Sequence, residues 1–425
     1  MRIRSLVAAV AVTGVLSPLA VSPQMAAAQS SEKVSEKLPF DVPQMQGSMS
    51  GSSIGPAPTQ YPGAPVPEPF STEYLLGFES DISPYKYGVY LDVLSPFNDL
   101  RQRPELMQKD MDRAIEINNN AADDPELVRR AQIDAAADTG GVMVAVSDAM
   151  GEQLGEAFRQ ALEENRLPKT QYLMGNGYAA RAGGLASSTF IEKEYYDRQR
   201  PHIVAPDAIK RYNTDDKDFY LDSPAFPSGH TNQAMWITTL MAYMMPEIGP
   251  QLIYRGAESG YHRIVMGVHY PLDVIGGYMM GQAAASDRLN DPRMRDAIDQ
   301  AAEEVRAELE WRTGKTISEL VAEDSTYISD EVAAEKFGDF MTMDFDPIYD
   351  QNAPMQVPQT APALLAGAYP ELNYEQRAEV LRQTALPAGH PMDQQGEGGS
   401  WQRLNIVAAM AADVTVNPDG SVTVN

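Results

Sequence analysis

The chain has 425 residues, with 33 Lys+Arg against 59 Asp+Glu, a net charge of −26 and no cysteine. That length allows one large domain or two ordinary ones, and the missing cysteines exclude a disulfide scaffold, thiolate metal sites and a catalytic thiol. So acidic a surface repels nucleic acid and anionic lipid headgroups, and an anionic substrate would have to meet a local concentration of cations.

Arg2 and Arg4 precede an apolar stretch, Ser5–Ala20, and Ala26-Ala27-Ala28 offers small residues for cleavage. This is the pattern of an export signal, 1–28, cut near Ala28. Ser17, Pro18, Ser22 and Pro23 interrupt the apolar stretch, against its other reading as a membrane anchor. The expected location is periplasmic or secreted, in a bacterium. No later stretch reaches the roughly 18 apolar residues of a membrane span, so no integral membrane segment is expected in the mature chain.

Residues 29–70 read as a linker, since Gln44–Phe70 is dominated by Ser, Gly and Pro. A passive spacer is the preferred reading, with cell-envelope association through it as the other. From Ser71 to Phe345 the pattern is helical. Glu105–Asn118, Pro125–Ala137, Val142–Asn165, Thr231–Met245, Leu272–Ala285 and Met294–Leu309 carry apolar residues at three- and four-residue spacing. The extension 346–425 is looser and Pro-rich. Asn373–Gln383 reads as one helix, and two Val-Thr-Val runs around Asn417–Ser421 suggest a terminal β-hairpin.

Four of the five histidines fall between His202 and His269, among three cationic segments. In the first, Arg200 lies seven residues after Lys193, a spacing that puts both on one helical face, with Pro201 ending the helix. They read either as a solvated basic face or as an anion site. In the second, Pro227-Ser228-Gly229-His230 leads into an apolar run. Ser228 suits an N-cap, Gly229 lets an anion approach the backbone, and the free N–H groups of a helix start favour phosphate-like oxyanions. His230 stands at that mouth, where an imidazolium can protonate a leaving oxygen. In the third, Arg263 is followed by His269 and Asp273, with Pro271 suited to the first helical position. A carboxylate reaching back to one imidazole nitrogen leaves the other as a nucleophile, although such a pair also occurs as a plain structural hydrogen bond.

In this order the three segments resemble the signatures of the superfamily of type 2 phosphatidic acid phosphatases, class A bacterial acid phosphatases and vanadium haloperoxidases. Lys193–Pro201 fits Lys-x6-Arg-Pro, Pro227–His230 fits Pro-Ser-Gly-His, and Arg263, His269 and Asp273 fit Ser-Arg-x5-His-x3-Asp, with His262 in place of the serine. That departure puts any hydrogen bond from the serine in doubt. The motifs span Lys193–Asp273, and the helical pattern extends the resemblance over a core of 122–287. The resemblance implies an all-α helical bundle and an exported acid phosphatase acting on a small-molecule phosphate ester. His269 would be the nucleophile, Asp273 its support and His230 the acid. Lys193, Arg200, Ser228, Gly229 and Arg263 would bind phosphate, with no metal and no cofactor. The alternative is a vanadium-dependent haloperoxidase, in which the same site holds vanadate. A binding protein with a dead site is disfavoured, because every residue the chemistry needs is present.

Overall fold

The computed structural model describes residues 57–75, 90–137, 141–175, 182, 189–214, 218–220 and 222–425. The signal at 1–28 and the linker before residue 57 lie outside the described residues.

Helices dominate in chain order: α1 (Pro104–Asn120), α2 (Pro125–Ala136), α3 (Val142–Val146), α4 (Glu152–Glu163), α5 (Pro168–Met174), α6 (Phe190–Tyr196) and α7 (Pro201–Val204). Then follow α8 (Gly229–Met244), α9 (Gly249–Val265), α10 (Pro271–Asn290), α11 (Pro292–Thr313), α12 (Ile317–Glu323), α13 (Asp330–Thr342), α14 (Tyr374–Gln383) and α15 (Ile406–Ala411). The fold is all-α, and its described sheet is the terminal hairpin, β1 (Val414–Val416) antiparallel to β2 (Val422–Val424), with Val414 opposite Val424.

The starts follow local chemistry. Proline occupies the first turn of α1, α2, α5, α7, α10 and α11, where its missing N–H costs nothing. Asp124 and Ser228 cap α2 and α8, and Asn373 completes a capping box on α14. The helix α8 is buried on nearly every face, and Trp236, Ile237 and Leu240 are fully buried. A helix of that kind belongs at the centre of a bundle, and α9 and α10 pack along it. Among the described residues one main core runs from Phe70 to Val422, and it includes Leu364, Trp401 and Val407 of the extension. Loose in secondary structure, the extension is packed: α15 lies against α9 and α13.

Three local expectations change. Val142–Asn165 is not one helix, because Gly151 at φ 73° separates a 3-10 turn (Ser147–Met150) from α4. The distant Asp324 carboxylate accepts from Glu152 N–H at 3.0 Å and so caps the new start. Lys193 and Arg200 do not share a helix: α6 stops at Tyr196, Asp197 adopts the left-handed conformation, and Arg200 is extended ahead of Pro201. The last part of the linker is held in place. Arg166 donates to the carbonyls of Thr59 at 2.6 Å and Pro65 at 2.8 Å while paired with the buried Glu308.

Three helix ends meet at one place, the starts of α8 and α10 and the end of α9. The Ser228 N–H donates to the Asp273 carbonyl at 2.9 Å. Gly277 permits the close approach, since a Cβ there would lie 2.7 Å from Thr231 Cβ and 2.8 Å from the Ser228 carbonyl.

Candidate active site

Asp273 is the third residue of α10, and its carboxylate is fully buried. Its Oδ2 accepts from the Tyr270 N–H at 2.9 Å, within a capping box, and lies 3.2 Å from His269 Nδ1. The other imidazole nitrogen, Nε2, is 3.2 Å from Arg200 Nη1. A guanidinium can only donate and an ionised carboxylate can only accept. The tautomer follows: the proton sits on Nδ1 and the lone pair on Nε2, facing the cations. Burial first, then Arg200, Lys193, Arg263 and His230, holds His269 well below the usual imidazole range. A neutral imidazole with its lone pair exposed to cations has the protonation state that nucleophilic attack requires.

Arg200 is fixed by three acceptors: the Ser223 carbonyl at 2.6 Å, the Ser223 hydroxyl at 3.0 Å and the Val268 carbonyl at 2.9 Å. Lys193 donates to the carbonyls of Pro224, at 2.5 Å, and Ala225, at 3.3 Å. The link between α6 and α7 therefore does what one helix was expected to do, with both cations held by the 223–225 strand of chain. Burial, with Arg200 and Arg263 adding repulsion, brings the Lys193 ammonium down to about 7. Arg263, buried in the last turn of α9, is the third cation around His269.

Ser228 caps α8, its hydroxyl accepting from Thr231 N–H at 3.4 Å and from Thr231 Oγ1–H at 2.7 Å. Gly229 and His230 are the first two residues of α8, where peptide N–H groups and the helix dipole favour an anion. His230 is close enough to His269 to lower its basicity. All eight residues singled out by the motifs thus converge on the three helix ends. Of the remaining histidines, His202 packs edge-on against Tyr220, and His390 bonds to the Phe345 carbonyl. His262 turns to the buried Asp134 on α2, 2.6 Å away, which Arg255 grips with two bonds. It therefore has a partner of its own where the serine of the pattern was expected.

Sequence reasoning missed three residues. Arg198 is paired with Asp273 Oδ1 at 2.7 Å and Asp110 Oδ2 at 2.6 Å, and lies 3.6 Å over the Tyr270 ring. Asp110 Oδ1 also accepts from the Leu272 N–H at 3.0 Å. Asn118 donates to the Val265 carbonyl at 2.8 Å and accepts from Lys210 N–H at 2.8 Å, holding the turn between Arg263 and His269. In that turn Gly267 has φ 70°, and a Cβ would strike Ile209. The sequence carried one faint signal: Asp110 and Asn118, two polar residues eight apart, fall on one face of an amphipathic helix.

One point of the helical bundle thus gathers two buried cations, the half-buried Lys193, a helix N-terminus and two imidazoles, an arrangement whose donors suit an oxyanion. Residues 173–286 match the family described as the PAP2 superfamily. It is 28% identical over 171 residues to a non-specific acid phosphatase of Providencia stuartii, covering 40% of this chain and 64% of the relative. A second non-specific acid phosphatase, from Salmonella typhi, is 26% identical over 138 residues, 32% of this chain and 53% of the relative. The undecaprenyl-diphosphatase BcrC of Bacillus subtilis is 39% identical over 56 residues, 13% of this chain and 29% of the relative. The chain thus spans less than two thirds of the length of these relatives.

Proposed function

We propose that the protein is an exported acid phosphatase that hydrolyses phosphate monoesters through a phosphohistidine, without a metal. The observation that carries this reading is the fixed tautomer of His269, with Nε2 unprotonated and facing Lys193, Arg200 and Arg263. Phosphoryl transfer needs an in-line nucleophile, stabilisation of charge on three equatorial oxygens, and an acid for the leaving group. Here Lys193, Arg200, Arg263, the Ser228 hydroxyl and the N–H groups around Gly229 take the oxygens. His269 Nε2 attacks phosphorus as the ester P–O bond breaks, and His230 passes its proton to the departing alkoxide, releasing the alcohol. Neutral His230 then takes a proton from water, whose oxygen attacks phosphorus. The P–N bond breaks, and free phosphate and His269 are restored.

The acid-phosphatase relatives support the reaction class. The export reading rests on the N-terminal pattern. Among the described residues, no helix is long and apolar enough to cross a membrane.

The test is turnover of an aryl phosphate by the purified protein in excess chelator, with alkaline-denaturant quenching to trap the phosphoenzyme. Chelator-resistant turnover with a trapped, acid-labile phosphoenzyme is expected. Turnover that vanishes with chelator and returns with a divalent ion would refute metal independence. Parallel assays with bromide, peroxide and vanadate test the haloperoxidase alternative, because these same residues would hold vanadate.

A further inference from the structure

Asp273 carries two loads. One oxygen faces the Nδ1–H of His269, and the other is paired with Arg198. A carboxylate shared with a guanidinium is a weaker counter-charge for an imidazole. That matters here, because Lys193, Arg200, Arg263 and His230 already oppose positive charge on His269. Arg198 is itself paired on its far side with Asp110, a fully buried residue of α1. The four groups form a line of alternating sign: Asp110, Arg198, Asp273, His269. With Asp110 ionised, the first three carry a net charge of −1; without it they sum to zero.

The same line is a mechanical clamp. Asp273 Oδ2 holds the Tyr270 N–H and Asp110 Oδ1 holds the Leu272 N–H, while the Arg198 fork spans both carboxylates over the Tyr270 ring. The backbone on either side of Pro271 is thereby pinned next to the nucleophile. Asp110 lies upstream of the segment that matches the family, 173–286, so it stands outside the recognised motifs.

We propose that Asp110 and Arg198 are positioning residues for His269. They orient its ring through Asp273, and the Asp110 carboxylate, by balancing Arg198, leaves Asp273 as the counter-charge that its cationic phosphorylated form requires. This inference deepens the phosphohistidine reading and rests on it. Neither residue touches the substrate, so their loss should slow phosphoryl transfer while leaving oxyanion binding intact. Misplacing a reacting group by about 1 Å can cost about 100-fold.

The experiment compares Asp110→Asn and Asp110→Ala with wild type, reading kcat and KM for an aryl phosphate, the inhibition constant of vanadate, and the downfield Nδ1–H proton resonance of His269, assigned by its loss in His269→Gln. Asn keeps the size and the acceptor for Leu272 N–H but not the charge. Both variants are expected to lower kcat by about 10- to 100-fold, with KM and vanadate inhibition within about threefold, and to shift the His269 resonance upfield. Full rescue of kcat by Asn, or an unmoved resonance, would overturn the proposal. So would a lower melting temperature with unchanged kcat. Arg198→Lys keeps the charge but not the fork, is expected to fall between wild type and Asp110→Ala, and serves as the variant should the Asp110 changes prevent folding. If wild type neither turns over nor forms a phosphoenzyme, the phosphatase reading fails separately. The resonance, read without turnover, still tests the clamp.

Discussion

The tautomer of His269 is set by its hydrogen-bond partners. His269 faces a carboxylate on one nitrogen and a guanidinium on the other. His269→Ala is expected to abolish both turnover and the trapped phosphoenzyme. His230→Ala should cost more on alkyl than on activated aryl phosphates, since an acid matters most for a poor leaving group; equal losses would remove that role. For Asp273→Asn, at least about a hundredfold loss of turnover is expected, roughly 2.7 kcal/mol of transition-state stabilisation. Its melting temperature should fall as well, because an amide facing Arg198 leaves a buried cation short of its partner. Lys193 adds a pH dependence. Its folded value lies below the ordinary lysine value, at about 7, so the ammonium form is complete below that pH and is lost above it. The free-enzyme profile of kcat/KM should therefore fall as pH rises through about 7, and the fall should move upward in Lys193→Arg. A profile unchanged by that substitution would detach the limb from Lys193.

At the scale of elements, the site is a junction of helix ends, and what holds the ends together can be tested apart from the chemistry. Gly277→Ala would place a methyl group against Thr231 Cβ and the Ser228 carbonyl. The expected outcome is a loss of about 1–3 kcal/mol in denaturant unfolding, with weaker vanadate binding as the start of α8 moves away from α10. The positions of α1, α2, α8, α10, α11 and α14 were legible, because proline at N1, serine and aspartate caps and the 3.6-residue period are local signals. The break at Gly151 was not, because its cap comes from Asp324, far along the chain. The end of α6 at Tyr196 escaped for a related reason. The turn to Arg200 is supported by carbonyls of residues 223–225 and 268, contacts that exist only after folding.

Across the whole molecule, several buried carboxylates are held above their ordinary values by desolvation: Asp110 at about 6, Asp287 at about 7 and Glu304 at about 7. A carboxyl group whose folded value is raised binds its proton more tightly in the native state. Its contribution is therefore complete below the unfolded value near 4 and is lost as pH rises towards the folded value. Acidification also relieves the self-repulsion of a chain with a net charge of −26. The melting temperature is expected to rise between pH 8 and pH 5. In Asp287→Asn with Glu304→Gln that rise should be smaller; an equal rise would assign it to the net charge alone. At lower pH the trend should reverse, because Asp134, held far below its ordinary value by Arg255 and His262 against the opposing effect of burial, then loses its charge.

The amino-acid sequence by itself determined the helical class, the starts of α1, α2, α8, α10, α11 and α14, the terminal hairpin and the eight residues now found together at the site. Each of these rests on short-range pattern: period, capping chemistry, or motifs whose spacing places a few side chains on neighbouring turns. The tertiary structure alone decided that Lys193 and Arg200 meet across a turn rather than along a helix, that His262 turns to Asp134, and that Asp110 and Arg198 stand behind Asp273. Those facts depend on pairings 23 to 162 residues apart. Local sequence cannot select among such pairings, because a buried charge chooses its partner only once the packed interior has excluded water.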